Sequence, residues 1–316
     1  HWTGSETHRE KIARRADSLG ITMTDRHVIR DRMVLPCPDE TVLYDILGLQ
    51  YIPPELREGG DEVARAASQN LPVLPVREDL LGVIHNHTTY SDGTHTVQEM
   101  ADAARERGYQ YIAICDHSKT AAYAHGLSIE RVQEQQEEID TLNTQYDNFR
   151  ILKGIESEIL PDGNLDYPDD ILASFDLVVA SVHSVFNMSE TDMTNRIVRA
   201  IQNPYTTILG HPTGRLLLAR DSYPVDMHRI IDEATAQGVA IEVNANPHRL
   251  DMDWRHIAYA LDRGVRISIG PDAHQITELD YVDIGLAMVK KGGATASQLV
   301  NTMTAEELIE LKNRRR

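Results

Sequence analysis

Cysteine is nearly absent from this 316-residue chain, which holds only Cys37 and Cys115. Two thiols offer no disulfide framework, so the small stapled folds of secreted proteins are excluded and a cytoplasmic protein fits best. Cys115 sits in an apolar run, the place of a small buried hydrophobe rather than a nucleophile. Long apolar runs are missing as well. No stretch of about 18 apolar residues occurs, which excludes a membrane-spanning helix. The start, His1-Trp2-Thr3-Gly4-Ser5, has neither an initiator Met nor a signal-peptide pattern, and it reads as the middle of a longer reading frame. Positive charge is scarce: 31 Lys and Arg face 49 Asp and Glu, a net charge of −18. Residues 1–77 hold 10 of the former and 12 of the latter, so nearly all the acidity lies beyond them. Such a surface repels nucleic acid unless metals or local cations offset it. No glycine-rich dinucleotide or P-loop fingerprint follows any apolar run, which counts against a nucleotide-binding sheet.

What is present suffices for one large domain and a small one, with an ordinary apolar fraction of 41%. The spacing of Ile12, Ala13, Ala16 and Leu19 predicts a helix ended by Gly20. A strand over 27–35 and short helices over 41–47 and 61–68 follow. Leu71-Pro72-Val73-Leu74-Pro75 has linker composition, so the boundary is placed between a domain 1–76 and a domain 77–316. From residue 80 one grammar repeats: apolar strand, helix, glycine, strand. Thr96 with Glu99 forms a capping box ahead of the stripe Val97, Met100, Ala101 and Ala104. Strands are expected near 81–85, 111–115, 150–156, 177–182, 206–210, 239–243 and 265–269. Runs this apolar are buried on both faces, as in parallel sheets, and seven alternations predict a barrel or a doubly wound sheet.

The residues after the strands carry the chemistry. The first strand gives His85, His87 and Asp92. The second gives Asp116 and His117, the third Glu156, the fourth His183, the fifth His211 and the seventh Asp272 and His274; the sixth ends in Asn244. Active sites of parallel barrels lie at the C-terminal rim. Imidazoles and carboxylates are the ligands that zinc, manganese and iron accept, and the nine besides Asp116 exceed one ion's need, so two or three metals are implied. The remaining histidines, such as His8, His95, His228 and His256, read as solvated or structural. Glu158 shares the strand face of Glu156 and reads as a support. Arg215, Lys119 and Arg249 are the cations near the rim that could clamp a phosphate. Tyr123 and His125 lie in a glycine-containing loop that shapes the pocket.

The motifs HNHTTYSDG, CDHS, GIESE, SVHS, GHPTGR and PDAH resemble those of the PHP (polymerase and histidinol phosphatase) superfamily over about residues 80–316. Pro271 stands where the family's last motif usually has serine. The segments Trp2-Thr3-Gly4-Ser5 and 47–57 resemble the end of the thumb of bacterial family X DNA polymerases. The resemblance implies an α/β fold, a distorted TIM-like barrel of seven strands preceded by a small α+β thumb-like domain. It implies three divalent metal ions, zinc, manganese or iron. His85, His87, Glu156 and Asp272 would hold one. Glu156, His183 and His211 would hold a second, and Asp92, His117 and His274 the third. The implied activity is that of a metal-dependent hydrolase of phosphodiesters, processing DNA 3′ ends as a 3′–5′ exonuclease by attack of a metal-bound hydroxide, with activated phosphotriesters as a side activity. Glu156, Asp272 and Arg215 are its catalytic residues, and Ser91, Ser118 and Ser184 are turn residues and supports. No palm carboxylates precede the thumb-like segment, so the rest of the polymerase is absent. The rival readings are a small-molecule phosphatase of the histidinol phosphatase type, a non-catalytic domain that positions a polymerase, and an amidohydrolase barrel. That last class uses a lysine where this chain has His183.

Overall fold

Strand periodicity decides where each side chain goes in this protein. The computed structural model describes residues 3–314, so Trp2 of the thumb-like motif lies outside the described residues. The chain forms two units, His1–Val73 and Leu74–Arg316.

In the first unit the helix Glu6–Ser18 is capped by Ser5, whose hydroxyl accepts from the His8 amide at 3.1 Å. It buries Ile12 and Ala16 against Ile21, Val28, Tyr44, Leu47 and Ile52. Strands β1 (Ile21–Met23), β2 (Val28–Arg30) and β3 (Met33–Leu35) form an antiparallel sheet in sequence order. The sequence reading of one strand over 27–35 is corrected here. Asp31 and Arg32 both take positive φ, 52° and 65°, so a two-residue turn folds the run into a hairpin. Neither residue is the Gly or Asn that usually announces such a turn. Helices Glu40–Ile46 and Glu62–Ala67 complete the unit. Arg57, 1% exposed, clamps Glu40 through two bonds of 2.9 Å.

The second unit is a barrel of seven parallel strands: β4 (Gly82–Asn86), β5 (Tyr111–Ile114), β6 (Arg150–Glu158), β7 (Leu177–Ser181), β8 (Ile208–Leu209), β9 (Ala240–Asn244) and β10 (Ile267–Gly270), paired in sequence order. Alternate residues face opposite sides. Ile151, Ile155, Val178, Ile241, Ile267 and Ile269 point outward to the helices, among them Val97–Glu106, Glu190–Gln202 and Met227–Gln237. The inward set changes character along the axis. At the N-terminal end Tyr111, Leu152, Leu177 and Ala240 pack with Val300, Ala305 and Leu308, so the helix Ala305–Asn313 plugs that mouth. Toward the C-terminal end the inward positions on β6 become Glu156 and Glu158, and on β9 Glu242 and Asn244, all buried.

The seam between β10 and β4 is bridged differently from the other joints. At the end of β4, Asn86 pairs with Ala273, which lies beyond β10. Lower down the Asn301 side chain substitutes for a strand: it accepts from the Ile269 amide at 2.7 Å and donates to Ile269 O at 2.9 Å and Gly82 O at 3.2 Å. The Leu81 amide donates to Asn301 O at 2.8 Å.

Candidate metal centre

The barrel brings the nine candidate ligand residues to its C-terminal mouth. β4 carries a one-residue irregularity between Val83 and Asn86, and His85 takes φ 69°, a left-handed backbone that aims both His85 and His87 inward. Asp272 also has positive φ, 53°. Glu156, 1% exposed, is the hub. Its Oε1 lies 2.9 Å from His211 Nε2, 3.1 Å from His183 Nε2 and 3.3 Å from His85 Nε2; its Oε2 lies 2.9 Å from His117 Nδ1 and 3.7 Å from His87 Nε2. Asp272 Oδ1 stands 3.2 Å from His87 Nε2 and 3.7 Å from His85 Nε2. Asp92 Oδ1 stands 3.3 Å from His274 Nε2 and 3.7 Å from His117 Nε2.

Among the described residues, three groups have donor atoms close enough to hold an ion: His85, His87 and Asp272; His117, Glu156 and His183; and His87, Asp92, His117 and His274. This grouping differs in detail from the sets implied by resemblance. His117 faces Glu156 as well as Asp92, and His87 is shared between two groups. The donor set fits divalent metals on a second count. His85 Nε2, both His87 ring nitrogens, His117 Nδ1, His183 Nε2, His211 Nδ1 and Glu156 Oε2 are buried without hydrogen-bond partners. Buried polar atoms left unpaired are costly, and cations among them would satisfy those that face the cluster.

The outer atoms of three rings are tied, which leaves their Nε2 lone pairs inward. His85 Nδ1 donates to Glu242 Oε1 at 2.5 Å, His183 Nδ1 to Glu158 Oε2 at 2.8 Å and His274 Nδ1 to the Asp272 carbonyl at 2.9 Å. Charge follows the same logic. Burial opposes a charged Glu156, but His183, His85 and His117 outweigh it and hold its pKa well below the ordinary value. Burial lowers His183, yet Glu156 and Glu158 carry it up to about 9. His274, against the same burial penalty, is lifted to about 9 by Asp92 and Asp272. Burial, reinforced by His274 and His117, pushes His87 down to about 4. The carboxylates thus demand positive charge that protons supply in the metal-free chain.

A family model described as "PHP domain" matches residues 84–246, more than half of the chain. A probable phosphatase of Thermoanaerobacter sp. (strain X514) is 31% identical over 244 residues, which cover 73% of this chain and 94% of that protein. The chain belongs to the PHP domain family. Residues 1–58 match a second model, the DNA polymerase beta thumb. The DNA polymerase/3′-5′ exonuclease PolX of Bacillus subtilis (strain 168) is 40% identical over 310 residues, 98% of this chain but 54% of that protein. This chain therefore spans about half the length of that relative. Among solved structures, histidinol phosphate phosphatase from Lactococcus lactis, complexed with zinc, L-histidinol and phosphate, aligns with TM-score 0.50 at 16% identity, covering 67% of this chain and 93% of that one. It shares the fold.

Within this PHP domain, the cations expected to clamp phosphate differ from one another. Arg249 reaches the centre: its Nε is 3.1 Å from Asp272 Oδ2, and its Nη1 is buried without a partner. Arg215 does not reach it. Its guanidinium donates to Arg249 O at 2.9 Å, to Leu250 O, and to Asp253 Oδ2 at 3.1 Å, so it braces the loop that presents Arg249. A clamp on phosphate is not the work these contacts leave it. Lys119 is exposed, with Nζ 5.9 Å from the Tyr167 ring centroid. Asp116 braces the loop after β4, accepting from the Thr88 amide at 2.7 Å, Thr88 Oγ1 at 2.6 Å, Ser91 Oγ at 2.5 Å and Gln135 Nε2 at 2.6 Å. Ser118 accepts from the Glu158 amide at 2.9 Å, and Ser184 donates to Glu158 at 2.7 Å.

Glu242 is the residue that sequence reasoning missed. It holds His85, accepts from the His211 amide at 2.7 Å and from Asn244 Nδ2 at 3.2 Å, and is 1% exposed. Its signal was available: a carboxylate inside the run Ala240-Ile241-Glu242-Val243 must be paired if the strand is buried.

Proposed function

We propose that this metal-dependent phosphoester hydrolase cleaves phosphodiesters at DNA 3′ ends, in a centre that holds three divalent ions. The observation that carries this reading is the buried hub: Glu156 faced by five imidazoles, with unpaired donor atoms on nearly all of them. His85, His87 and Asp272, then His117, Glu156, His183 and His211, then Asp92, His117 and His274 would hold the ions. When bound, such ions make water nucleophilic near neutral pH and offset the charge that develops on the phosphoryl oxygens. The chain's own residues do the rest. Glu242 and Glu158 fix the ring orientations of His85 and His183. Arg249 brings a guanidinium to the edge of the centre, where it neutralises a phosphate and sets its register. Arg215 holds that arginine's backbone in place.

The thumb-like first unit supports DNA over a small ester, because a free metabolite needs no such appendage. The second reading, a small-molecule phosphatase, draws on the probable phosphatase that matches the barrel over almost its whole length. One panel separates the two. Protein loaded with Mn²⁺ or Zn²⁺ is given a labelled single-stranded oligonucleotide, histidinol phosphate, and p-nitrophenyl mono-, di- and triesters. Loss of single nucleotides from the 3′ end, with diester turnover above monoester turnover, is expected. Monoester turnover alone, with the oligonucleotide intact, would establish the phosphatase reading instead.

A further inference from the structure

An aromatic side chain at the mouth of the metal centre is used by none of the ligands. Tyr123 belongs to the loop 118–127 that follows β5. Its flanking residues Ala121 and Ala124 are buried, at 3% and 0% exposure, while Tyr123 itself is 66% exposed. The loop that carries it is tied at many points. The Ala121 amide donates to Ser118 O at 3.0 Å, the Gly126 amide to Ala121 O at 3.1 Å and the Leu127 amide to His117 O at 2.9 Å. Thr120 donates to Asp166 Oδ2 through its amide at 2.7 Å and its hydroxyl at 2.9 Å. A Cβ on Gly126 would meet Ser118 O at 1.9 Å, so this turn closes only with glycine there. The ring is therefore presented on a fixed support and does not swing on a floppy tip.

Its place relative to the centre is equally defined. The ring centroid lies 5.9 Å from that of His117 and 6.4 Å from that of His183, the two imidazoles that meet on opposite oxygens of Glu156. Arg249 reaches the same centre from the other side of the ligand cluster's rim, with its Nε 3.1 Å from Asp272 Oδ2. A nucleotide whose phosphate sits at the centre beside His117 and His183 would have its base within reach of this ring. An aromatic face accepts any base by stacking, and Arg adds attraction for the ring system. In a chain of net charge −18 that is a way to hold a nucleotide without a basic groove.

We propose that Tyr123 is a stacking subsite for the nucleobase next to the scissile phosphodiester, an inference that rests on the DNA-end reading above. Stacking of this kind changes binding by about 5- to 150-fold per base. The test uses the full chain loaded with Mn²⁺ and two single-stranded oligonucleotides, one ending in 2-aminopurine and one in an abasic tetrahydrofuran residue. The wild type should favour the base-bearing end in kcat/KM, mainly through KM, and quench the 2-aminopurine fluorescence on binding. Tyr123→Ala should bring the two substrates together and lose the quenching, with metal content intact, while Tyr123→Phe should keep both. Cleavage in which Tyr123→Ala discriminates as well as wild type overturns the subsite and leaves the DNA reading standing. Quenching through Tyr123 without cleavage leaves the subsite and overturns DNA hydrolysis. Neither quenching nor cleavage overturns both.

Discussion

Glu242 offers the sharpest perturbation, because its carboxylate holds two candidate ligands, His85 and His211, with Asn244 beside them. It takes the His85 ring proton at 2.5 Å and the His211 amide at 2.7 Å, one on each oxygen. Glu242→Gln preserves the volume but turns one oxygen into an NH₂. That NH₂ must face either His85 Nδ1–H or the His211 N–H, donor against donor. If the backbone amide is orphaned, the chain loses about 1–3 kcal/mol of stability. If His85 is orphaned, the ring is free to take the other tautomer, and metal affinity falls about 10- to 100-fold, the usual effect of losing a carboxylate behind a histidine ligand. Gly270 provides an independent route to the same atom. A Cβ there would lie 1.9 Å from Glu242 Oε1, so Gly270→Ala must displace the carboxylate. The two changes act on one contact, and the double variant should therefore lose much less than the sum of the single losses. Competition with a chromophoric chelator measures affinity, and urea denaturation measures stability. Wild-type affinity in Glu242→Gln, or full additivity with Gly270→Ala, would refute this account of how His85 is held.

Other outcomes follow from the same contacts. Glu156→Ala should abolish diester hydrolysis and lower bound metal per chain, whereas Asp272→Ala should lose turnover with partial recovery in excess metal; metal analysis beside kcat/KM tests both. Arg249→Ala should cut kcat/KM with metal content retained, and Arg215→Ala should do the same more weakly and be non-additive with it, because Arg215 acts through the backbone of Arg249. Asn301→Ala should cost about 2–4 kcal/mol in urea denaturation, since Ile269 loses partners for both its amide and its carbonyl. Metal-free protein should release protons on rebinding Zn²⁺ at pH 7: His183 and His274, raised to about 9, are cations there and must deprotonate to ligate. Affinity should accordingly rise with pH up to about 9, read by calorimetry in buffers of different ionisation enthalpy.

Seven strands were legible as short apolar runs, three of them announced by a helix that ends in glycine, and the ligand types sat at the end the barrel makes into a mouth. The supports were harder to see. Glu242 lies within a strand, and the pairing that makes its burial tolerable comes from His85, 157 residues away. Arg215 and Arg249 looked alike in sequence, since spacing from a histidine fixes a Cα but not where a long side chain ends. The hairpin of β2 and β3 escaped for a local reason: Asp31 suits the left-handed backbone of such a turn, but Arg32 stands where a glycine usually advertises it. In the ligand groups, sequence order could not foretell that His117 would present different ring nitrogens to Glu156 and Asp92.

The asparagine seam bears on how the barrel is born. Gly82 and Asn301 are 219 residues apart, so the first strand is made long before the side chain that closes its outer edge. At ribosomal speeds of about 5–20 residues per second, that edge waits roughly 10–45 s for its partner. During the interval β4 is an open edge with apolar flanks, the kind of surface that recruits other chains. Faster translation of the last third, or a chaperone that shields the strand, should raise the yield of soluble protein more than added stability elsewhere would.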